Sequence, residues 1–300
     1  MKVLITGATN GMGKGVARIL AANPEVELIL HGRSEPLLRQ TADELASLAA
    51  PERISTLRCD LARLCEVRDA VQELRSAHAG LDAIFVNAGI GYAPRRVETE
   101  DGLDAHFQVN YLSQFMLTLN LLDLLEGSKH GGRVVFNAPS FGELRWDDLQ
   151  LKNAWSYEFA IGQGMVAKRM FYTRLHELYS SRPGPKVSCY GFEISKTVWT
   201  HQIALIPLPM RMMATLMKGL GRFISIDACG EIMAPLFLES RDASAKKSGR
   251  LVTFKNGELR DCEKNPMVLD PIQRERLWQQ SLLLCADEAT TGAAERLRQP

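Results

Sequence analysis

The chain has 300 residues, of which 46% are hydrophobic, and this suffices for one large core. Its 36 basic and 35 acidic residues leave a net charge of +1, so charge gives no reason to expect nucleic acid as a partner. The six cysteines are widely spaced and form no CxxC pair, which indicates reduced thiols and no metal site. The opening MKVLITG is typical of a strand, and no apolar run reaches membrane-spanning length, so we expect a cytoplasmic protein.

Short β-rich runs alternate with longer helical patterns along the chain. Strands are predicted at Val3–Ile5, Val26–Leu30, Ile54–Cys59, Ala83–Val86, Arg133–Phe136, Lys186–Phe192 and Leu251–Phe254. Helices are predicted at about 12–22, after Ser34 as N-cap, after Asp60 as cap, at about 101–126, at about 156–180, and from Asp270 to about 285. This βαβ repetition predicts one α/β domain with a Rossmann-type, doubly wound parallel sheet between two helical layers.

The predicted domain covers residues 1–285, and the polar residues 286–300 are expected to form a frayed tail. The methionine-rich segment 203–226 is interpreted as an insertion after the sixth strand, on the substrate side of the sheet. A plain amphipathic covering helix is the alternative interpretation. Its apolar and basic residues are also compatible with peripheral contact to a membrane.

A glycine-rich turn, Thr6-Gly7-Ala8-Thr9-Asn10-Gly11-Met12-Gly13, joins the first strand to the first helix. Glycine lets the backbone approach a pyrophosphate, and the helix N-terminus offers N–H groups to the phosphates. Arg33 follows the second strand, where an NAD-binding chain would carry an acidic residue, and a basic residue suits a 2′-phosphate. The sequence therefore favours NADP(H). Asp60 could cap its helix or bond the adenine amino group.

At several ordered places the chain resembles the short-chain dehydrogenase/reductase family, over roughly residues 1–285. TGATNGMG is similar to that family's TGxxxGxG turn, and Asn87-Ala88-Gly89 to its NAG motif. Three further stretches resemble the retinol-dehydrogenase-like branch of that family. They are Thr99–Leu103 with Val109–Leu112, Trp146–Leu149, and Glu275–Trp278. With the resemblance, the predicted cofactor site comprises Thr6, Gly7, Thr9, Asn10, Gly11, Met12, Gly13, Arg33, Asp60, Leu61, Asn87, Ala88, Gly89, Ser195 and Thr197.

The resemblance implies hydride transfer between a nicotinamide and a substrate carbonyl, while a tyrosine hydroxyl gives or takes the proton. It further implies a serine that holds the carbonyl oxygen, and Asn110 matches the family's structural and proton-relay asparagine. A lysine four residues after the tyrosine shares its helix face, and its charge stabilises the phenolate.

The chain departs from this pattern at the catalytic helix. Aligned on Gly162-Gln163 and Ala167, the tyrosine and lysine positions hold Ile161 and Met165. A shifted alignment puts Gly164 and Lys168 there, which restores the lysine but not the tyrosine. Since the sequence contains no Tyr-x-x-x-Lys, the loss does not depend on the alignment.

Other residues are candidates for the missing chemistry. Ser140, after Asn137-Ala138-Pro139, is the candidate catalytic serine, with a turn residue as the alternative. Tyr157, one turn before Ile161, is the candidate proton donor. Tyr92, Tyr190, Glu193 and His201 are candidate rim residues, and Ser195 or Thr197 could bond the nicotinamide amide. The predicted substrate pocket comprises Ile161, Met165 and Tyr190, which favours an apolar ligand.

Three functions remain open from the sequence. The first is an NADP(H)-dependent oxidoreductase that acts on an apolar carbonyl or conjugated small molecule with an atypical proton relay. The second is a non-redox enzyme on the same scaffold, such as an isomerase, dehydratase or cyclase. The third is a non-catalytic NADP(H)-binding protein. The long helices at about 101–126 and 156–180 are compatible with a homodimer.

Overall fold

A computed structural model describes residues 1–184, 186–195, 197–255 and 258–299, and for 201 and 202 the backbone alone. Eight strands form one sheet in the order β10-β9-β6-β5-β4-β1-β2-β3, in which β10 alone runs antiparallel to its neighbour. The strands are β1 (Lys2–Ile5), β2 (Glu27–Gly32), β3 (Ile54–Arg58), β4 (Ala83–Val86), β5 (Arg133–Asn137), β6 (Ser188–Phe192), β9 (Leu251–Lys255) and β10 (Glu258–Asp261). Two short strands, β7 (Thr197–Val198) and β8 (Phe223–Ile224), pair separately and in parallel.

Helices cover both faces of the sheet. They are α1 (Gly11–Ala21), α2 (Glu35–Leu45), α3 (Leu64–Ala77), α4 (Ala105–Phe107), α5 (Ser113–Leu119), α6 (Leu122–Glu126), α7 (Tyr157–Ser181), α8 (Leu208–Gly219), α9 (Ile226–Met233), α10 (Pro235–Leu238), α11 (Arg241–Ala245), α12 (Pro266–Leu269), α13 (Pro271–Cys285) and α14 (Glu288–Arg298). A π-helical turn, Gln108–Leu112, joins α4 to α5, and 3₁₀ turns lie at Pro51–Arg53 and His201–Ala204.

Alternation along the central strands divides the core between the two faces of the sheet. Leu4, Ile84 and Val134 belong to one buried cluster, whereas their neighbours Phe85 and Val135 belong to the other. Side chains on a strand point alternately to opposite faces, so each strand contributes to both clusters. The predicted doubly wound α/β fold is confirmed.

Several local predictions are wrong for identifiable reasons. The expected helix over 101–126 is interrupted, because the chain first forms a bridge between Glu98 and Asp104 and later passes through a π-helical turn. Ser34 does occupy the predicted N-cap position of α2, without a side-chain cap bond, whereas α3 begins only at Leu64, whose N–H is accepted by Asp101 Oδ2 at 2.8 Å. Asp60 instead accepts an N–H two residues on, so it closes a turn and does not cap the helix.

The expected frayed tail is helical. Helix α14 buries Ala293, Ala294 and Leu297, and its Thr290 hydroxyl accepts a hydrogen bond of 2.8 Å from Asn120. The burial of this alanine-rich face and the buried hydrogen bond hold the segment on α5. Strand β10, which the sequence did not predict, pairs with β9 at the edge of the sheet.

Candidate active site

The candidate site begins where β1 ends against β4. The buried Thr6 hydroxyl donates to the Phe85 carbonyl (3.0 Å) and accepts the N–H groups of Asn87 (2.8 Å) and Ala88 (3.0 Å). Thr6 therefore fastens the predicted NAG segment to the first strand and does not point into the cofactor site. Asn87 Nδ2 in turn donates to the Thr6 carbonyl at 3.0 Å.

The glycine-rich turn has the shape of a cradle that side chains would fill. Gly7 has φ +67° and Gly11 has φ +55°, in the left-handed region that favours glycine. A Cβ added at Gly13 would lie 2.3 Å from the Gly7 carbonyl oxygen. Asn10 caps α1 by accepting the Gly11 N–H at 2.7 Å. A helix N-terminus opening from such a close backbone approach suits a dinucleotide pyrophosphate.

His31, whose role the sequence analysis missed, supports this turn from β2. Its Nδ1 lies 3.2 Å from the Gly7 nitrogen and accepts that N–H, which requires a neutral ring. Burial lowers the pKa of His31 from 6.5 to about 4, despite opposing contributions from the Cys59 backbone and the Asp60 charge. The glycine turn is therefore held by an imidazole that stays neutral at physiological pH.

The other predicted cofactor residues surround this turn. Arg33 is exposed after β2, Thr9 lies beside Gly32, and Met12 is half-buried on α1. Leu61 is buried, and its carbonyl accepts a 2.6 Å bond from Ser113.

Ser195 and Thr197 are exposed after β6. The segment that follows them turns back toward α1, so that a Cβ on Gly11 would meet Thr200 Cγ2 at 3.3 Å.

Asn110 joins the NAG segment to the catalytic helix. It is fully buried in the π-helical turn, accepts the Ile90 N–H at 2.6 Å and donates to the Ile90 carbonyl at 3.2 Å. A Cβ on Gly89 would lie 3.0 Å from its Oδ1, so any larger residue there would crowd Asn110.

The structure distinguishes between the two alignments of the catalytic helix. A Cβ at Gly164 would lie 2.9 Å from the Asn110 Cβ, which leaves no room there for a tyrosine. Ile161 is half-buried and Met165 is 9% exposed on α7. The geometry therefore favours Ile161 and Met165 at the tyrosine and lysine positions.

Lys168, the lysine of the shifted alignment, points inward. Its side chain is 2% exposed, and Nζ donates to the Asn137 carbonyl at 3.3 Å. Burial lowers its pKa from 10.5 to about 7.

Ser140 lies at the carboxyl edge of the sheet, where β5 and β6 end. The Glu193 Oε1 accepts two bonds from it, one from the backbone N–H and one from the hydroxyl, each of 2.8 Å. Ser140 itself is exposed. Both are predicted site residues, but no local sequence pattern indicates their contact, because they are 53 positions apart.

Tyr157 and Tyr92 form an edge-to-face aromatic pair at the start of α7, with ring centroids 5.2 Å apart. Burial, assisted by the charge of Glu158, raises the pKa of Tyr157. An acid–base tyrosine needs the opposite direction, so the environment does not prepare Tyr157 as a proton donor.

Tyr190, predicted to be a rim and pocket residue, is placed elsewhere. Its side chain is fully buried, and its hydroxyl donates to Glu239 Oε1 at 2.9 Å, with the Leu236 carbonyl oxygen a further 3.2 Å neighbour of the same hydroxyl. This prediction is wrong because the side chain of Tyr190 joins the core cluster on the face that packs against α10. The side chain of His201 lies outside the described residues.

The methionine-rich segment forms α8 and its flanking turns. Ala214 is the one buried residue of α8, whereas Leu208, Met212 and Leu216 are each about 60% exposed. Among the residues that the structure describes, none of the helices combines the length and apolarity needed to span a bilayer. Within the same ranges, no three His, Cys, Asp or Glu side chains cluster as a metal site.

Comparison with known proteins agrees with this geometry. Residues 1–148 match the model of the short chain dehydrogenases. Polyprenol dehydrogenase from Homo sapiens is 32% identical over 184 residues, which cover 59% of this chain and 55% of that protein. Retinol dehydrogenase 14 from Mus musculus is 33% identical over 184 residues, 58% of this chain and 55% of that protein. This chain belongs to the short-chain dehydrogenase/reductase family, in its retinol-dehydrogenase-like branch.

A solved structure supports the fold over nearly the whole chain. The crystal structure of an uncharacterized protein from Mycobacterium paratuberculosis has a TM-score of 0.70 at 21% identity, covering 96% of this chain and 94% of that one. The chain spans about half the length of the curated relatives it matches.

Proposed function

We propose that the protein is an NADP(H)-dependent oxidoreductase that acts on an apolar carbonyl or conjugated small molecule, without a tyrosine–lysine pair. The proposal rests on one structural observation. A glycine cradle, braced by Thr6 and His31, is retained beside a helix whose catalytic positions hold Ile161 and Met165. A retained cradle makes most sense where the cofactor is used.

The residues present fit a phosphorylated dinucleotide. The turn at Gly7 to Gly13 would hold the pyrophosphate, and the exposed Arg33 would pair with a 2′-phosphate. When bound, the nicotinamide supplies or accepts hydride. Asn110 and Asn87 would then keep the neighbouring strand ends in place.

The substrate is proposed to be apolar. Ile161 and Met165 would line its site, because neither side chain offers a hydrogen bond or a charge. The relatives named above carry the names of long apolar alcohols, polyprenol and retinol. Such alcohols and their conjugated carbonyls match the apolar side chains of the proposed substrate site.

Cofactor choice is tested by measuring NADPH and NADH affinities with nucleotide fluorescence. Arg33→Ala should weaken NADPH about tenfold or more, because it removes a charge-assisted bond, and should leave NADH almost unchanged. Arg39→Ala, which removes an exposed arginine paired with Glu35, is the matched control. Equal loss of both cofactors in Arg33→Ala would contradict the assignment to NADP(H).

The reaction class is tested by NADPH consumption against a panel of apolar quinones, enones and ketones. The wild type should turn over conjugated members of this panel, because it holds the cofactor and an apolar site for them. Silence of the wild type, with activity gained in Ile161→Tyr/Met165→Lys, would favour the alternatives. These are a non-redox isomerase, dehydratase or cyclase, or a non-catalytic NADP(H)-binding protein.

We further propose that α8 touches a membrane surface from which an apolar substrate is taken up. Its exposed leucines and methionines are accompanied by Arg211 and Lys218, and no acidic residue occurs between positions 194 and 226. Flotation should recover the protein with anionic vesicles, and Met212→Asp/Leu216→Asp should abolish recovery. Equal recovery of the double variant would contradict this contact. Cytoplasmic localisation and a homodimer remain predictions.

A further inference from the structure

A carboxylate lies directly behind the candidate catalytic hydroxyl. Asn137, the last residue of β5, is paired in register with Phe192, the last residue of β6. Ser140 and Glu193 follow these partners, so the parallel register brings them together at the edge where dinucleotide-binding sheets hold their ligands. The hydroxyl-to-carboxylate distance is 2.8 Å.

The loop that carries Ser140 is held on its other side as well. Arg169, which is 0% exposed, donates to the Phe141 carbonyl at 3.1 Å and pairs with Glu263 at 3.2 Å. Asn265 Nδ2 donates to the Gly142 carbonyl at 2.9 Å. Glu193 therefore contacts the hydroxyl itself, while Arg169 and Asn265 hold the loop that carries it, as a preorganised catalytic group requires.

The second oxygen of the carboxylate is occupied by a thiol. Cys262 Sγ lies 3.4 Å from Glu193 Oε2 and donates to it. Burial, followed by the charge of Glu193, raises the pKa of Cys262 to about 12, so the thiol keeps its proton. Charged groups near this cluster include Asp261 at the end of β10, which pairs with Arg250, and Glu263, which pairs with Arg169 of α7. Among the described residues, the hydrogen bonds to Oε1 come from the backbone N–H and the hydroxyl of Ser140.

We propose that Ser140 and Glu193 together form the proton relay of this enzyme, an inference that rests on the proposed function. In alcohol oxidation, the substrate O–H proton passes to Ser140 Oγ while the serine proton passes to Glu193 Oε1. The carbinol C–H bond breaks with its electron pair, which leaves as hydride to the oxidised nicotinamide, and the C=O bond forms. Glu193 then returns its proton to water. Carbonyl reduction follows the same steps backward.

This relay explains why the helix needs neither a tyrosine nor a lysine. A phenol has an ordinary pKa of about 10 and must be helped by a nearby ammonium to act as a base at neutral pH. Carboxyl groups are ordinarily ionised at that pH without such help. With a carboxylate behind the serine, positions 161 and 165 become free for apolar side chains that hold the substrate.

The relay is tested first in the free protein, without cofactor. The Ser140 backbone N–H also donates to Glu193 Oε1, so its NMR shift should titrate when the carboxylate takes up a proton. In Glu193→Gln the shift should be independent of pH, whereas in Glu143→Gln, a matched change at an exposed site on the same loop, it should titrate as in the wild type. An untitrating wild-type amide overturns the proposal.

The second test uses NADP⁺ with retinol and farnesol as probe alcohols. Glu193→Gln and Ser140→Ala should each lower kcat by roughly 10²–10⁴ and leave KM and NADPH affinity unchanged. Each should also remove the inflection that the wild-type plot of kcat against pH shows at the pH where the Ser140 amide shift titrates. Glu193→Asp should restore part of kcat. Glu193→Gln turnover within threefold of wild type overturns the relay. The relay is also overturned if Glu193→Gln lowers kcat equally at every pH and speeds amide hydrogen exchange in the Ser140 loop. Glu193 would then only hold the loop in place. A wild type that binds no NADPH instead refutes the proposed function, and the relay with it.

Discussion

The neutral imidazole beneath the glycine turn makes the folded protein sensitive to acid. His31 accepts the Gly7 N–H, and burial lowers its pKa from 6.5 to about 4. Above pH 6.5 the ring is neutral in both the folded and the unfolded chain. As the pH falls below 6.5, the unfolded chain binds the proton first, so the free energy of unfolding decreases until about pH 4.

The size of this effect follows from the two pKa values. A pKa lowered from 6.5 to about 4 corresponds to about 3 kcal/mol of unfolding free energy, lost between those two pH values. His31→Gln keeps a carbonyl oxygen that can accept the Gly7 N–H but cannot titrate. The variant should therefore lose about 3 kcal/mol less than the wild type over the same range.

Urea unfolding at a series of pH values between 7 and 4 measures this difference. All other titrating groups are common to the two proteins, so the divergence of their stability curves isolates the imidazole. NADPH affinity should diverge only near pH 4, where the folded protein itself protonates His31 and loses the bond that holds the turn. Parallel stability curves would refute the assignment of a neutral, buried acceptor to His31.

Three further substitutions test the site. Gly13→Ala should abolish NADPH binding in fluorescence titrations, because its Cβ would lie 2.3 Å from the Gly7 oxygen, whereas Gly127→Ala, with open space around it, should bind normally. Lys168→Met should raise the melting temperature more at pH 6 than at pH 9. The pKa of its buried amine is about 7 in the folded chain and 10.5 in the unfolded chain. Below pH 7 the folded protein therefore holds a buried charge, and the wild type regains stability as the pH rises from 7 to 10.5. Tyr190→Phe should lower the free energy of unfolding in urea by about 1–2 kcal/mol and leave NADPH affinity unchanged. A loss of NADPH affinity would show that Tyr190 does belong to the site.

Seven strands of the sheet were predictable as short β-rich runs bounded by turn residues, whereas the polar β10 was not. Ala83–Val86 is observed with the predicted bounds, and the helix opened by Asp270-Pro271 begins and ends as expected. The interruption near Asn110 was not predictable in this way. Every residue from Leu103 to Leu122 is buried, so the segment lacks the polar face that marks helical bounds.

The cofactor site was predictable where its residues are contiguous in sequence, as in the turn from Gly7 to Gly13. The contact of Glu193 with Ser140 joins two loops through the register of β5 and β6, and no local pattern encodes that register. Tyr190 was misplaced for a related reason. One position along a strand reverses the face to which a side chain points, and the sequence alone does not say which face carries the site.

The last strand of the sheet also limits how copies of the molecule can associate. All four residues of β10 are exposed, and its Arg260 forms a 3.0 Å ion pair with Glu258 along the strand. Bringing a second copy's strand alongside would force these charges out of water or against their like. The β10 edge of the sheet is therefore poorly suited to pairing with the sheet of a second copy.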